Sequence, residues 1–138
     1  MKKVAFVGSY DKTDMILYMA KILTIANKKV IVVDTTALQK ARYIVPSMQA
    51  LKKYITTFQG VDVAIGFENF EDIKEYQKAN DQVEEYDFAL IDIDSGRGYN
   101  NFEIVSTDKH YFVTSFDMYC LKRGLQVFKT LKFPVRVT

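Results

Sequence analysis

The sequence predicts an α/β fold, a mainly parallel, doubly wound sheet with helices on both faces. Three observations predict it. Short unbroken apolar runs recur at Val4 to Val7, Val30 to Val33 and Phe88 to Ile91, as expected of strands buried on both faces of a parallel sheet. Stretches with apolar residues at helical spacing alternate with them. Polar clusters follow the strands at Gly8 to Thr13, Asp34 to Thr36 and Asp92 to Gly96. Ligands in such sheets sit at the carboxyl ends of the strands. The length, 138 residues, is that of one domain, 1–138.

In chain order, Val4 to Val7 is the first strand and Lys12 to Asn27 the first helix. Ile16, Ala20, Leu23 and Asn27 share a stripe, with Met19, Ile22 and Ala26 beside it. Asp11 is placed to cap the helix and Asn27 to stop it. Val30 to Val33 follows at the distance of a right-handed βαβ unit. Thr35 to Ala50 is irregular, and Pro46 limits any helix there. Tyr54 to Phe58 and Val61 to Gly66 flank Gly60 as a strand or hairpin. Phe70, Ile73, Tyr76 and Gln77 mark an amphipathic helix over Phe70 to Gln82. Phe88 to Ile91 is the clearest buried strand, and the glycines and paired asparagines of Gly96 to Asn101 read as a loop. Tyr111 to Thr114 is another strand, beginning just after His110. Met118 to Lys132 is a helix with Leu121, Leu125, Phe128 and Leu131 inward. Pro134 ends it before a strand over Val135 to Val137.

Composition excludes several classes. A net charge of +2 gives no strong nucleic-acid signal, and Lys52, Lys53, Lys122, Arg123 and Lys129 read as solvated faces. Cys120, the only cysteine, permits no intrachain disulfide and suits a reducing, cytoplasmic setting. No apolar run reaches the roughly eighteen residues that span a bilayer. His110 has no Ser or Cys partner for a triad. Phe58, Phe67, Phe70 and Tyr76 read as core.

The chemistry concentrates at the three polar clusters. A phosphate loop needs inward backbone N–H groups, a lysine for the β- and γ-phosphates and a hydroxyl for Mg²⁺. Gly8, Ser9, Tyr10, Asp11, Lys12 and Thr13 keep the lysine and hydroxyl of G-x-x-x-x-G-K-[ST], but Phe6 and Asp11 replace its glycines. Asp11 adds a like charge beside any phosphate. The other reading makes Asp11 a simple cap, with Lys12 and Thr13 solvated in the first helical turn. Asp34 and Asp92 follow strands, where an acid can hold Mg²⁺ or merely end a strand in a turn. Asp94 reads as a loop acid.

With these residues placed, the chain resembles the MinD/ParA group of deviant Walker A ATPases. Val4 to Thr13 takes the place of the Walker A strand and loop, and VIVVDTT at Val30 to Thr36 that of the second strand with its D-x-D ending. YDFALIDIDSG, Tyr86 to Gly96, is similar to the Walker B and switch II segment YDxIIIDxPxG. Asp108 to Leu131 is similar to the strand and helix that follow. The resemblance implies a P-loop NTPase-like fold lacking the family's C-terminal part. It implies ATP or ADP with Mg²⁺ as cofactors. Carried over by position, Lys12 would bind phosphates, Thr13 would ligate Mg²⁺, Asp92 would be the Walker B acid, and Asp94 and Gly96 would lie in switch II. The rest of the loop, Gly8 to Asp11, and Asp34 as a further metal acid are candidates from their own place after the strands.

Four departures go with the resemblance. Val7 stands for the signature lysine that bridges an ATP-sandwiched dimer, Asp11 for a glycine, Thr36 for the acid tied to the attacking water, and Asp94 for the switch proline. They imply weak or absent hydrolysis. Degenerate loops of this kind resemble the TadZ/CpaE branch, which localises pilus or secretion machinery. The implied partner is a protein of a larger, membrane-associated assembly, with a homodimer as a further expectation. The alternative is a nucleotide-free pseudo-ATPase scaffold. A flavodoxin-like carrier, with Gly8, Ser9 and Thr13 on a flavin phosphate, is a third reading.

Overall fold

The computed structural model describes residues 1–46, 51–82, 84–105 and 107–130. Its elements run β1 (Lys2–Val7), α1 (Thr13–Ile25), β2 (Val30–Asp34), a 3₁₀ turn (Lys40–Tyr43), β3 (Tyr54–Phe58), β4 (Val61–Ile65), α2 (Phe70–Ala79), β5 (Phe88–Ile93), α3 (Gly96–Asn101), β6 (Lys109–Phe112) and α4 (Met118–Thr130). The described strands form one six-stranded sheet ordered β3-β4-β2-β5-β1-β6. Every pairing is parallel except the β3–β4 hairpin. The predicted α/β class with a mainly parallel sheet is therefore present. β1 and β2 are not neighbours, however: β5 lies between them, so the first crossover spans one strand position.

Strand alternation divides the core in two. Val4, Phe6, Val30, Val32 and Leu90 face Ile16, Leu17 and Ala20 of α1. Ala5, Val7, Ile31, Val33 and Ile91 face Ile73 of α2, Tyr99 of α3 and Val127 of α4. Helices thus cover both faces. Phe67 is buried, and Phe58, Phe70 and Tyr76 are partly buried against these clusters, as core aromatics should be. Asn27 takes φ 63° and Lys28 N–H donates to Leu23 O at 3.0 Å, so Asn27 ends α1 as expected.

Several local readings change. Gly96–Asn101 is a short helix, not a loop. Burial of Tyr99 and Phe102 offsets the poor helix propensity of its glycines. β6 begins two residues earlier than expected because its register with β1 starts at Lys109 opposite Val4. α2 ends at Ala79, where Asn80 and the left-handed Asp81 turn the chain away. Leu125, expected inward, is 55% exposed, while Val127 is buried. A Cβ at Gly124 would lie 2.4 Å from the Phe112 ring, so close approach through this glycine sets the phase of α4. Met19, Ile22, Ala26 and Asn27 are exposed rather than continuing the buried stripe of α1. Residues 47–50, the side chain of Phe128, Leu131, Lys132, Pro134 and the expected strand Val135 to Val137 lie outside the described residues.

Candidate functional site

β5 lies between β2 and β1, and its register sets Asp92 beside both Asp34 and Phe6. Asp34 therefore shares a sheet face with Val32, and Asp92 with Leu90, the face that α1 covers. The start of α1 closes over these strand ends. Sheet register and one helix N-terminus thus bring together three clusters that are scattered in the sequence.

The centre is a buried ion pair. Lys12 Nζ lies 2.7 Å from Asp92 Oδ1, with the two side chains 2% and 1% exposed. The ammonium also donates to Gly8 O at 2.8 Å. Thr13 Oγ1 donates to Asp92 Oδ2 at 2.8 Å. Beyond Lys12, Asp92 Oδ1 has no hydrogen-bond partner among the described residues. Removing both charges from water is expensive, and their close contact is what makes the burial tolerable. The alternative reading, with Lys12 and Thr13 solvated in the first helical turn, is overturned, because Asp92 draws both inward.

Asp34 is satisfied differently. Its Oδ1 accepts from Thr36 N at 2.9 Å and Thr36 Oγ1 at 2.6 Å, and its Oδ2 accepts from Ala41 N at 2.9 Å. It ties down its own turn and the following 3₁₀ segment. Burial raises its carboxyl above the usual 3.8, opposed by the Thr36 and Ala41 hydrogen bonds and assisted by the charge of Asp92. Asp94 accepts from Ala37 N at 3.1 Å, which makes it the loop acid expected. Gly96 starts α3.

The first loop is partly committed. Gly8 N–H donates to Ile93 O at 3.0 Å. Its φ is +147°, and a Cβ there would lie 2.1 Å from Val113 O, so only glycine fits. Among the described residues, the backbone N–H groups of Ser9, Tyr10, Asp11 and Lys12 donate no hydrogen bond. They stand before the N-terminus of a thirteen-residue helix. Asp11 is not the N-cap; Lys12 occupies that position, and Asp11 Oδ1 accepts from Thr13 N at 3.4 Å. Its exposed carboxylate lies 3.9 Å from Lys40 Nζ.

A scan against protein-family models and a search of curated proteins gave no match to this chain.

The donor set fits Mg²⁺ in part. Thr13 Oγ1 and Asp92 Oδ1 are adjacent to one another and to the loop, and the second is short of partners. Asp34 is the weaker fit, since its Oδ1 already accepts two hydrogen bonds and its Oδ2 one. No group of three or more His, Cys, Asp or Glu is placed to hold a metal among the described residues.

Two supporting residues were not singled out from the sequence. Thr35 Oγ1 donates to Asp92 O at 2.7 Å, and its N–H donates to the same oxygen at 3.0 Å. Gly98 lets α3 close on this threonine, as a Cβ there would lie 2.4 Å from Thr35 Oγ1. Gln39 links Thr36 O to Gly66 N, each at 2.8 Å. A cavity of about 230 Å³ opens beside them, with Arg97 and Glu68, paired at 2.6 Å, among its lining residues. VIVVDTT marked this segment as polar, but no periodicity indicates what Thr35 bonds. His110 is held by Tyr99 Oη and Val105 O, in keeping with a structural role.

Proposed function

We propose that this chain is a degenerate MinD/ParA-like nucleotide-binding protein of P-loop NTPase-like fold. In this reading it binds ATP or ADP with Mg²⁺, turns it over weakly or not at all, and positions or regulates a larger assembly through a protein partner. One observation carries the reading. Lys12 and Thr13 converge on Asp92 at 2.7 and 2.8 Å, the three residues that the resemblance assigns to phosphate, metal and Walker B acid.

The free N–H groups of Ser9 to Lys12 supply donors for an anion at a helix N-terminus. Lys12 would exchange Asp92 for phosphate, and a cation would take its place on the orphaned Asp92 Oδ1. Weak turnover follows from the departures. Val7 is fully buried in the sheet core and carries no charge, and the Thr36 hydroxyl is spent on Asp34.

Calorimetric titration with Mg·ATP and Mg·ADP tests the proposal. Saturable heat for either supports it. Asp92→Asn, which releases the Lys12 ammonium, should bind Mg²⁺-free ATP more tightly than the wild type does. Absence of heat for both proteins at high concentration would sink nucleotide control.

A second reading, the nucleotide-free pseudo-ATPase scaffold, is favoured by a specific observation. The lysine already has its counter-ion and a carbonyl, and Gly8 N–H is committed to Ile93 O. In that reading the pair is a permanent staple, and partner capture is the same with and without Mg·ATP.

A further inference from the structure

Helix α1 is apolar on both sides. Ile16, Leu17 and Ala20 are buried against the sheet. Met15, Tyr18, Met19, Ile22 and Ile25 form a second stripe at helical spacing on the opposite side, and they are 38%, 73%, 37%, 65% and 72% exposed. A surface helix needs one apolar face; a helix apolar all round is one that something else covers.

We infer that this stripe is the contact face of a symmetric homodimer, distinct from the strand-end site. Three features choose a second copy of the chain as the occupant. The first is area. Five side chains at these exposures present on the order of 500 Å² of mostly apolar surface, close to the apolar share of a standard patch of ~800 Å² per partner. The second is shape. The α1 ridge stands between two grooves, one of about 540 Å³ reaching Phe6 and Tyr111 and one of about 230 Å³ reaching Ile44 and Phe58. A two-fold interface requires one patch to carry both ridge and groove, so that each copy fills the other. The third is charge. The stripe itself carries none, Asp14 and Lys21 of opposite sign line the smaller groove beside it, and the chain has a net charge of only +2, so little repulsion opposes self-association. An anionic lipid surface is less well matched, because Asp14 flanks the stripe and Lys21 Nζ is held by Gln59 O at 2.9 Å.

Sedimentation velocity on the full chain without nucleotide tests the inference. The wild type should sediment as a dimer at about 100 µM. Ile22→Glu should weaken association at least about 100-fold while leaving the circular dichroism spectrum unchanged, because the side chain is exposed on the folded subunit, and its melting temperature should lose the dependence on protein concentration that dimerisation gives the wild type. Tyr18→Glu should do the same and guards against an idiosyncratic effect of the first variant. Phe116→Glu, a fully exposed residue of the β6–α4 connection, should remain dimeric. A monomeric wild type overturns the inference, as does a dimer that survives both stripe variants or one lost only in Phe116→Glu. Sedimentation with phosphatidylserine vesicles, retained by the wild type but lost in Ile22→Glu, would assign the stripe to lipid and also overturn it. None of these readouts depends on whether nucleotide binds.

Discussion

The ends of β2 and β5 carry two aspartates that look equivalent and are not. Asp34 and Asp92 are register partners on adjacent parallel strands, and each is 1% exposed. Asp34 is satisfied from within seven residues, by Thr36 and Ala41. Asp92 is held from 79 residues away through Thr13, and by the ammonium of Lys12. The first carboxylate shapes its own turn. The second joins two distant segments and keeps an oxygen that only a cation satisfies. Equal burial thus conceals different roles, and the origin of the partners separates them.

The largest test of this contrast is Lys12→Ala. It leaves Asp92 buried and uncompensated, so stability should fall by about 3–5 kcal/mol, a drop in melting temperature of about 10–20 °C. The double variant Lys12→Met with Asp92→Leu should recover most of that loss. A loss under about 1 kcal/mol in the single variant would show that the pair is not buried in solution.

Asp34→Ala should be milder. Its three donors keep their places in a local turn, and the expected loss is about 2–3 kcal/mol in urea unfolding. Nucleotide affinity should change little, because Asp34 is the weaker fit as a metal ligand. A fall in Mg²⁺-dependent affinity would erase the distinction between the two acids.

Gly98→Ala sharpens the contrast from the side of β5. The new Cβ presses on Thr35 Oγ1 and disturbs its bond to Asp92 O. A loss of about 1–2 kcal/mol is expected, along with a chemical-shift change at Thr35 larger than at Thr36.

The smallest effect is a pH dependence. Burial raises the Asp34 carboxyl above 3.8, so between that value and its folded pKa the native state holds a proton that the unfolded chain has lost. Stability contributed by Asp34 is therefore greatest at low pH and declines as pH rises through this window. The stability difference between wild type and Asp34→Asn should fall as pH is raised from about 4. A difference that grows over the same range would contradict the burial of this group.

Much of the fold was legible because it is local. Buried runs at Val30 to Val33 and Phe88 to Ile91 need only their own side chains to declare a strand, and Asn27 ends a helix through its own backbone preference. Gly96–Asn101 was misread for the converse reason. Its glycines and asparagines favour a loop, and only the core contacts of Tyr99 and Phe102 hold it helical. Leu125 failed in the same way, since the phase of α4 depends on Gly124 meeting Phe112, which periodicity within one helix does not encode. The candidate site was legible as three clusters. The pairing of Lys12 with Asp92 and the help from Thr35 were not.

By itself the sequence determined the α/β class, the order of most strands and helices, and the residues gathered at the strand ends. Propensity and amphipathic period act over one turn or one strand, so neighbours in the chain suffice to set them. The tertiary structure alone decided that β5 lies between β1 and β2, that Lys12 is buried against Asp92, and that the second apolar stripe of α1 faces outward. Each of these depends on which distant surfaces close on one another. That choice is made by the whole core minimising its exposed apolar area and its unpaired charge, and no single segment carries it.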